Sequence, residues 1–267
     1  MMNQTEYCKK ILDRFNMKDC KPKAIPCDPS INNITVDDST ELADPKLYRE
    51  IVGSLIYVMT GTRPDICYAV TKLAQHMSEP TKAHLGLAKH VLKYIKGTIN
   101  YGLKFSKSSN PLRIIGFCDS DWGASEDRRS ITGYTFQLNS KGPLISWKSR
   151  KQRVVALSTC EAEYMSITFA MQEANFLRQL YTDMKGYDKG VVSLYVDNQG
   201  AIALAKNPVH HQRSKHIDIR YHFIRSEVES GIVDLIYVPS EDNISDVFTK
   251  PVSKNKLKKF SVIRGET

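Results

Sequence analysis

Four acidic residues stand where strands and helices of this sequence begin, end or face a core. They are Asp119, Glu163, Asp197 and Asp246. Carboxylate oxygens are the ligands that Mg²⁺ prefers, and two such ions about 4 Å apart can hold the attacking and leaving oxygens of a phosphodiester. That chemistry needs three or four clustered carboxylates, and it needs neither a Ser/His/Asp triad nor a thiol. If the four acids meet, they predict metal-assisted hydrolysis.

Helical periodicity directs Glu163 toward a core. Stepping from it at helical spacing through 158–184 gives an apolar stripe, whereas the stripe through Glu161 is mostly polar. We therefore expect Glu163 to face the sheet and Glu161 to face solvent. An acid on a core-facing stripe costs free energy unless a cation or hydrogen-bond donors satisfy it. A salt bridge at the helix start would satisfy it equally well, so both interpretations stay open.

Each of the other three acids also has a structural alternative. Asp119 and Asp121 lie two residues apart on one strand, so both point to the same face. Asp197, followed by Asn198, could cap the next helix. Asp246 would be favoured by the helix dipole in a first turn. The four acids taken together favour a functional site, because two strand ends and two helix faces converge on one edge of one sheet.

The elements that would position these acids form an α/β pattern. Three apolar runs at hairpin spacing predict a meander, after which strands alternate with helices in the order β-β-β-α-β-α-α-β-α. This order predicts a mixed sheet with helices packed on it. The predicted segments are 111–121, 133–139, 144–152, 158–184, 191–198, 198–207, 216–231, 232–239 and 243–260, the last of them interrupted at Pro251.

The residues before this pattern predict helices and a linker. Residues 5–16 could form a short amphipathic helix, and residues 17–45 are rich in Pro, Asn, Asp and Ser, as is typical of a linker. Residues 46–105 have a helical pattern. Its clearest helix is 81–96, with Thr81 as its cap. The face opposite its apolar stripe carries Lys82, Lys89, Lys93 and Lys96. These lysines indicate either a solvated basic surface or a contact with a nucleic-acid backbone.

Composition limits the classes of protein. The chain is 41% hydrophobic and 25% charged, as in ordinary globular proteins, and its net charge of +9 favours a polyanionic partner such as nucleic acid. None of its six cysteines forms a C-x-x-C pair, so we expect reduced thiols. The N-terminus is not a signal peptide, and no apolar run approaches the roughly 20 residues of a membrane span. We therefore expect an intracellular protein, neither secreted nor membrane-bound.

Six segments of the chain together resemble the copia-type (Ty1/copia) retrotransposon Pol polyprotein, and they cover almost its full length. In order they are IVGSLIYVMTGTRPDICYAV, HVLKYIKGT, CDSDWGASEDRRSITGYTF, ISWKSRKQRVVALSTCEAEY, YVDNQGAIALAKNPVHHQRSKHIDIRYHFIR and DNISDVFTKP. The resemblance implies a polymerase thumb remnant and linker at 1–45 and a small helical connection segment at 46–108. At 109–262 it implies an α/β ribonuclease H-like domain, with a mixed five-stranded sheet and flanking helices.

The resemblance also implies an activity. The implied reaction is cleavage of the RNA strand of RNA–DNA hybrids, which leaves a 5′-phosphate. It would use two Mg²⁺ ions, with Mn²⁺ as the alternative metal. By motif, the catalytic and metal-binding residues are Asp119, Glu163, Asp197 and Asp246, with Asp121 and Glu161 as rival assignments. Phosphate contacts are expected near the third strand, from Lys148, Arg150, Lys151 and Arg153. The alternative is that these residues form a solvated strand edge.

Two departures from the family pattern bear on function. The loop VPSEDN before the last aspartate has no His, and the histidines at 210, 211, 216 and 222 suit a basic, solvated or backbone-binding segment. The polymerase palm signature is missing, because Asp37-Asp38 lacks the preceding aromatic residue.

The expected partners are therefore a hybrid and the polymerase portion of a full-length polyprotein. The expected location is a cytoplasmic virus-like particle or the nucleus. The alternatives are a non-catalytic nucleic-acid-binding remnant and a domesticated interaction protein.

Overall fold

The chain folds into two compact units. A computed structural model describes residues 1–27, 29–32, 41–107, 112–123, 127–140, 142–186, 190–206, 215–259 and 264–265. The helical unit comprises Met1–Phe105 together with Lys250–Thr267, and the sheet unit comprises Ser106–Thr249. Asp37, Asp38, His210 and His211 lie outside the described residues.

The N-terminal part of the helical unit contributes four described α-helices and two strands of a small three-stranded sheet. Its elements are β1 (Met2–Asn3), α1 (Thr5–Arg14), α2 (Pro45–Gly61), α3 (Cys67–Leu73), α4 (Lys82–Gly97) and β2 (Tyr101–Leu103). Strand β2 pairs with β1 on one side and with a C-terminal strand on the other. The helix expected at 5–16 is confirmed as α1. The helix expected at 81–96 is confirmed as α4, with its lysines on exposed or half-buried positions.

Helix α4 begins with the cap that its sequence predicts. The Thr81 hydroxyl accepts a hydrogen bond from the His84 backbone N–H at 3.3 Å. In return, Nδ1 of the buried His84 ring accepts from the Thr81 backbone N–H at 3.1 Å. This reciprocal pair satisfies two N–H groups that a helix start leaves without partners. Burial lowers the pKa of His84 to about 4 and so favours the neutral imidazole that this geometry requires.

A buried ion pair joins α4 to the turn that follows α2. Arg63 and Asp65 are both inaccessible to solvent, and Nη2 of Arg63 lies 2.8 Å from Oδ2 of Asp65. Arg63 also donates to the Thr98 carbonyl at 2.9 Å, and the Tyr94 hydroxyl donates to Asp65 at 2.7 Å. A buried charge pair is tolerated when further hydrogen bonds satisfy it, and this network meets that condition.

The sheet unit has the predicted order of elements around one mixed five-stranded sheet. The elements are β3 (Ile114–Asp121), β4 (Ile131–Leu138), β5 (Leu144–Lys151), α5 (Thr159–Lys185), β6 (Val192–Val196), α6 (Gln199–Lys206), α7 (Lys215–Glu229) and β7 (Val233–Tyr237). The strand order is β5-β4-β3-β6-β7. The first three strands are antiparallel, and β6 and β7 add in parallel beside β3. The fold class expected from the sequence is confirmed.

The core of this unit lies between the sheet and helix α5. Apolar side chains of the strands pack against Ile167, Ala170 and Ala174 of the helix. Cys118 is fully buried among them and packs as a small apolar residue. Helix α5 ends at Gly186, whose φ of +73° gives the left-handed cap that favours glycine.

The end of the sheet unit differs from the sequence prediction. A single interrupted helix over 243–260 was expected, whereas the chain forms a 3₁₀ turn at Ile244–Phe248 and then α8 at Lys254–Lys259, followed by β8 at Arg264–Gly265. Pro251 lacks an N–H and disfavours helical geometry in the residue before it, so a continuous helix cannot form there. Helix α8 belongs to the helical unit rather than to the sheet unit. Asp246 therefore lies in a 3₁₀ turn, and its predicted place in an α-helix was wrong.

Charge is divided unevenly between the two units. The helical unit contains 21 Lys and Arg against 12 Asp and Glu, a net charge of +9, whereas the sheet unit contains 17 of each. These counts add up to the 38 basic and 29 acidic residues of the whole chain. The positive charge that favours a polyanionic partner thus comes entirely from the helical unit. Within the described ranges, no helix is both long and apolar enough to span a bilayer.

Candidate metal centre

Three of the four predicted acids meet at one point of the sheet unit. One carboxylate oxygen from each of Asp119, Glu163 and Asp197 lies within 4.8 Å of the other two. Asp119 comes from β3, Glu163 from α5, and Asp197 follows directly after β6. Since β3 and β6 are neighbouring parallel strands, their C-terminal ends share one edge of the sheet. Side chains 78 residues apart in sequence are thereby brought together.

Asp119 is fixed by two neighbouring elements. It is buried, and one oxygen of its carboxylate accepts a hydrogen bond from the Thr249 hydroxyl. Its backbone carbonyl accepts from the Ser166 hydroxyl of α5 at 2.8 Å. The strand end that carries the acid is therefore held by α5 and by the residue that follows the 3₁₀ turn.

The 3₁₀ turn reaches the sheet because β4 has no side chain at Gly133. Gly133 is the direct partner of Asp119 in the β3–β4 ladder. A methyl group there would lie 2.7 Å from Cβ of Phe248 and 2.7 Å from Cγ2 of Thr249. Asn243 secures the other end of the turn, because its side chain accepts from the Ser245 N–H at 3.0 Å and donates to the Cys118 carbonyl at 2.9 Å.

Glu163 has the environment of an acid that lacks a counter-ion. Its Oε1 accepts from the Ser120 backbone N–H at 2.9 Å and from the Ser120 hydroxyl at 3.2 Å. Its Oε2 is buried and has no hydrogen-bond partner among the described residues. Burial raises the pKa of Glu163 well above its usual value, and the charges of Asp119 and Asp197 raise it further. The prediction that Glu163 faces the sheet is confirmed.

The alternative that Asp197 serves only as a helix cap does not match the contacts. The side chain of the next residue, Asn198, accepts from the Ala201 backbone N–H at 2.9 Å and so caps α6. The half-buried carboxylate of Asp197 belongs to the acidic cluster instead.

Asp246 is close in the fold but is not a member of the cluster. It is buried in the 3₁₀ turn, and its backbone carbonyl accepts from the Thr249 N–H at 3.2 Å. Its carboxylate does not join the group of oxygens that lie within 4.8 Å of one another. The expected convergence therefore includes three acids, and the site role of Asp246 stays a prediction.

The rival acid Glu161 was expected to face solvent, and that expectation was wrong. Glu161 is buried, and its Oε2 accepts from the Leu157 backbone N–H at 2.8 Å. An acid in a first helical turn gains from satisfying an N–H there, and this contact draws Glu161 back over the helix start. Asp121 is half-buried at the end of β3, and neither rival belongs to the acidic cluster.

Three of the predicted phosphate contacts lie on the edge strand β5 and Arg153 follows it, and the four do not share one face. Lys148 and Arg150 point toward α5, where Arg150 lies over the Phe169 ring at 4.9 Å from its centroid. A cavity of about 170 Å³ opens between them and α5. Lys151 pairs with Asp127 at 3.0 Å, and Arg153 is exposed. Both a nucleic-acid contact and a charged strand edge remain consistent with this arrangement.

Sequence reasoning missed the residues that hold the acids in place. Ser120, Asn243 and Thr249 each contact the cluster or the strand that carries it. Asn243 could have been found, because an Asn before an apolar helical run is a common cap. Nothing in the local sequence distinguishes Ser120 or Thr249 from other hydroxyl residues.

Comparison with known proteins gives the chain a family. It is 40% identical over 267 residues, its whole length, to the "Retrovirus-related Pol polyprotein from transposon RE1" of Arabidopsis thaliana. It is 37% identical over 263 residues, 96% of its length, to the polyprotein from transposon TNT 1-94 of Nicotiana tabacum. The uncharacterized mitochondrial protein AtMg00810 of Arabidopsis thaliana is 42% identical over 173 residues, which are 64% of this chain and 70% of that protein.

The chain belongs to the copia-type retrotransposon Pol family. It spans 18% and 19% of the two transposon polyproteins, so it corresponds to about a fifth of their length. No family model matches the chain.

Solved structures align with part or most of the chain. The foamy viral protease-reverse transcriptase dRH in complex with double-stranded DNA aligns with 78% of this copia-type chain and 34% of its own, at a TM-score of 0.50 and 10% identity. The N-terminal RNase H domain of a Mycobacterium tuberculosis protein aligns with 56% of this chain and 96% of its own, at a TM-score of 0.40 and 10% identity. With the family and the sheet order, Ser106–Thr249 is a retrotransposon RNase H-like domain.

Proposed function

We propose that the RNase H-like domain hydrolyses the RNA strand of RNA–DNA hybrids in a reaction that depends on divalent metal ions. The observation that carries this proposal is the convergence of Asp119, Glu163 and Asp197 from three separate elements. An all-oxygen donor set suits a hard cation such as Mg²⁺, or Mn²⁺ as the alternative. The buried Oε2 of Glu163, which has no partner within the described part of the chain, fits such an ion as its missing counter-charge.

The protein's own contribution is to hold the three carboxylates in place before substrate arrives. Thr249 orients Asp119, and Ser120 orients Glu163, each through a hydrogen bond. Ligands fixed in this way lose little entropy when the site is filled. Divalent ions bound there supply positive charge for the phosphoryl oxygens and activate a water molecule. Asp246, matched by motif alone, is the candidate for a fourth ligand.

The test is release of labelled RNA from a hybrid, with Mg²⁺ and with EDTA. Asp119→Asn should abolish cleavage while hybrid binding is retained, because a carboxylate ligand is lost but the surface is not. Asp121→Asn is the matched control on the same strand, since Asp121 is not a member of the cluster. Direct titration of Mn²⁺ should show weaker binding to Asp119→Asn than to Asp121→Asn. Unchanged cleavage by Asp119→Asn refutes the proposal.

A second candidate function is nucleic-acid binding without cleavage. The observation that favours it is the charge distribution, because the net charge of +9 lies in the helical unit and the RNase H-like domain is neutral. Such a protein would bind a hybrid in a salt-dependent way and leave it intact in Mg²⁺ and in Mn²⁺. The cleavage assay distinguishes the two functions directly.

A further inference from the structure

An exposed apolar surface borders the start of helix α5. Trp122, Val155 and Leu157 are 50%, 46% and 85% exposed, which is unusual for large apolar side chains so close together. The indole N–H of Trp122 donates to the carbonyl of Ala156 at 3.0 Å, and Ala156 lies between the other two residues. We call these three side chains the apolar platform.

The platform is held rigidly although its side chains face solvent. The Trp122 hydrogen bond fixes the orientation of the indole ring. On the other side, the Leu157 backbone N–H donates to Glu161. The side chain of Gln152, at the start of the same loop, donates to the Ala162 carbonyl at 3.0 Å. These hydrogen bonds, one buried and two partly buried, order the loop that presents the exposed side chains, and an ordered loop loses less entropy when it binds.

The platform and the acidic cluster are attached to the same two elements. Trp122 is two residues beyond Ser120, whose backbone N–H donates to Glu163. Leu157 immediately precedes Ser158, the cap of α5, and Glu163 lies in the second turn of that helix. The apolar platform therefore lies on segments directly adjoining those that carry Asp119 and Glu163.

We propose that the apolar platform packs against the sugar edge of the nucleic acid bound at the acidic cluster. The inference rests on the proposed function for the identity of the substrate and adds a contact that positions it. A hybrid presents sugars along a wide, shallow minor groove, and their C–H faces suit an indole ring and two aliphatic side chains. The platform is uncharged, so it does not repel the phosphates of the nucleic acid. The carboxylates of the acidic cluster do repel them unless bound cations lie between.

The first test uses the fluorescence of Trp122. The chain has two tryptophans, so Trp147→Phe leaves Trp122 as the single reporter. Titration in an Asp119→Asn background with EDTA or Ca²⁺ prevents turnover, and saturation is followed independently by polarisation of a labelled hybrid. We expect the hybrid to change the Trp122 emission, and single strands of the same sequence to change it less. No change at saturation overturns the proposal, and so does an equal response to single strands, which indicates stacking on an unpaired base.

The second test separates a binding contact from a structural one. Trp122→Phe removes the hydrogen bond but keeps an exposed ring, so it should retain most of the hybrid affinity. Trp122→Ala should weaken hybrid affinity by about 5-fold or more, because the apolar area that the ring buries against the sugars is lost. If Trp122→Phe weakens binding as much as Trp122→Ala does, Trp122 only holds the loop through its hydrogen bond, and the proposal fails.

Leu157 supplies a variant with little risk to folding. At 85% exposure its side chain contributes little to stability, so Leu157→Ser should melt like the parent protein yet raise the KM for the hybrid without changing kcat. Met184→Ser is the matched control, because Met184 is 73% exposed on the same domain at the far end of α5. Equal hybrid affinity of the two serine variants overturns the proposal. If the parent protein does not cleave the hybrid in Mg²⁺ while the two serine variants still differ in hybrid affinity, the proposed function fails and the apolar contact stands.

Discussion

Thr249 donates its hydroxyl to the Asp119 carboxylate and so ties the end of the RNase H-like domain to the first strand of its sheet. The two residues are 130 apart in sequence, and both are buried. The first acid of the cluster therefore depends on the last residue of the domain for its position.

Thr249→Val tests this dependence, because it keeps the shape and removes the hydroxyl. A hydrogen bond to a charged group contributes about 1.5–3 kcal/mol, so we expect a loss of that order in the free energy of unfolding and weaker metal binding. The matched control is Thr168→Val, since the buried Thr168 hydroxyl donates to the Tyr164 carbonyl within α5 at 3.0 Å. Urea denaturation and Mn²⁺ titration give the two quantities. Equal effects of the two variants would contradict the role of Thr249.

Gly133→Ala should push the 3₁₀ turn away from the sheet. The added methyl group meets Phe248 and Thr249 at 2.7 Å, and overpacking of this kind costs about 1–3 kcal/mol. Cleavage should fall with stability, because the same movement separates Thr249 from Asp119. Gly86→Ala is the control, since nothing lies within 4 Å of a methyl group there, and we expect it to stabilise α4 by about 0.5–1 kcal/mol. Thermal melting and cleavage rates of the two variants should diverge; parallel behaviour would count against the tight approach at Gly133.

Glu163→Gln should stabilise the metal-free protein while it abolishes cleavage. The pKa of Glu163 is raised first by burial and then by Asp119 and Asp197. A carboxyl with a raised pKa in the fold stabilises it fully only below its unfolded pKa, near 4.5, and that contribution is lost as pH rises through the folded pKa. In EDTA at neutral pH the neutral glutamine is therefore the better side chain. With Mg²⁺ the order should reverse, because a charged carboxylate binds the ion more tightly than a neutral amide does.

Thermal unfolding of both proteins in EDTA and in Mg²⁺, from acid to neutral pH, measures this reversal. Glu161→Gln is the control, because Glu161 lies outside the cluster and satisfies a backbone N–H. It should not stabilise the metal-free protein. A Glu163→Gln variant no more stable than wild type in EDTA would show that Glu163 already has a counter-charge.

His84→Gln should remove a pH dependence from the helical unit. The pKa of His84 is lowered to about 4, chiefly by burial and then by His76. Between the ordinary value of 6.5 and about 4 the unfolded chain binds more protons, so stability should fall as pH drops through this window. Glutamine at this position preserves the capping pattern of Thr followed three residues later by Gln. The variant should therefore keep α4 and lose the slope of urea midpoint against pH. A titration of the His84 imidazole by NMR checks the pKa itself, and a normal value would contradict the prediction.

The parts of the fold that follow local pattern were predictable from the sequence. Alternating apolar runs gave the meander, and an apolar stripe placed α5 and the orientation of Glu163, because periodicity reports which face is buried. The end of the domain was not predictable in this way. Apolar periodicity continues through 243–260, but Pro251 and the docking of a short turn against Gly133 decide the outcome, and that contact is between residues over 100 positions apart.

The acidic site shows the same division. Three acids followed from strand ends and helix faces, since topology brings those positions to one edge. Glu161 was misplaced because periodicity treats every turn of a helix alike, whereas a first-turn acid bends back to satisfy N–H groups. Thr249 was missed because its partner is chosen by tertiary packing alone.

The uneven charge of the two units would separate nucleic-acid binding from cleavage. If the helical unit supplies the attraction to phosphates, raising the salt concentration should increase KM steeply and leave kcat flat, because screening acts on the long-range attraction and not on the buried carboxylates. Without both segments of the helical unit, Met1–Phe105 and Lys250–Thr267, the remaining neutral domain should then cleave with little dependence on salt concentration.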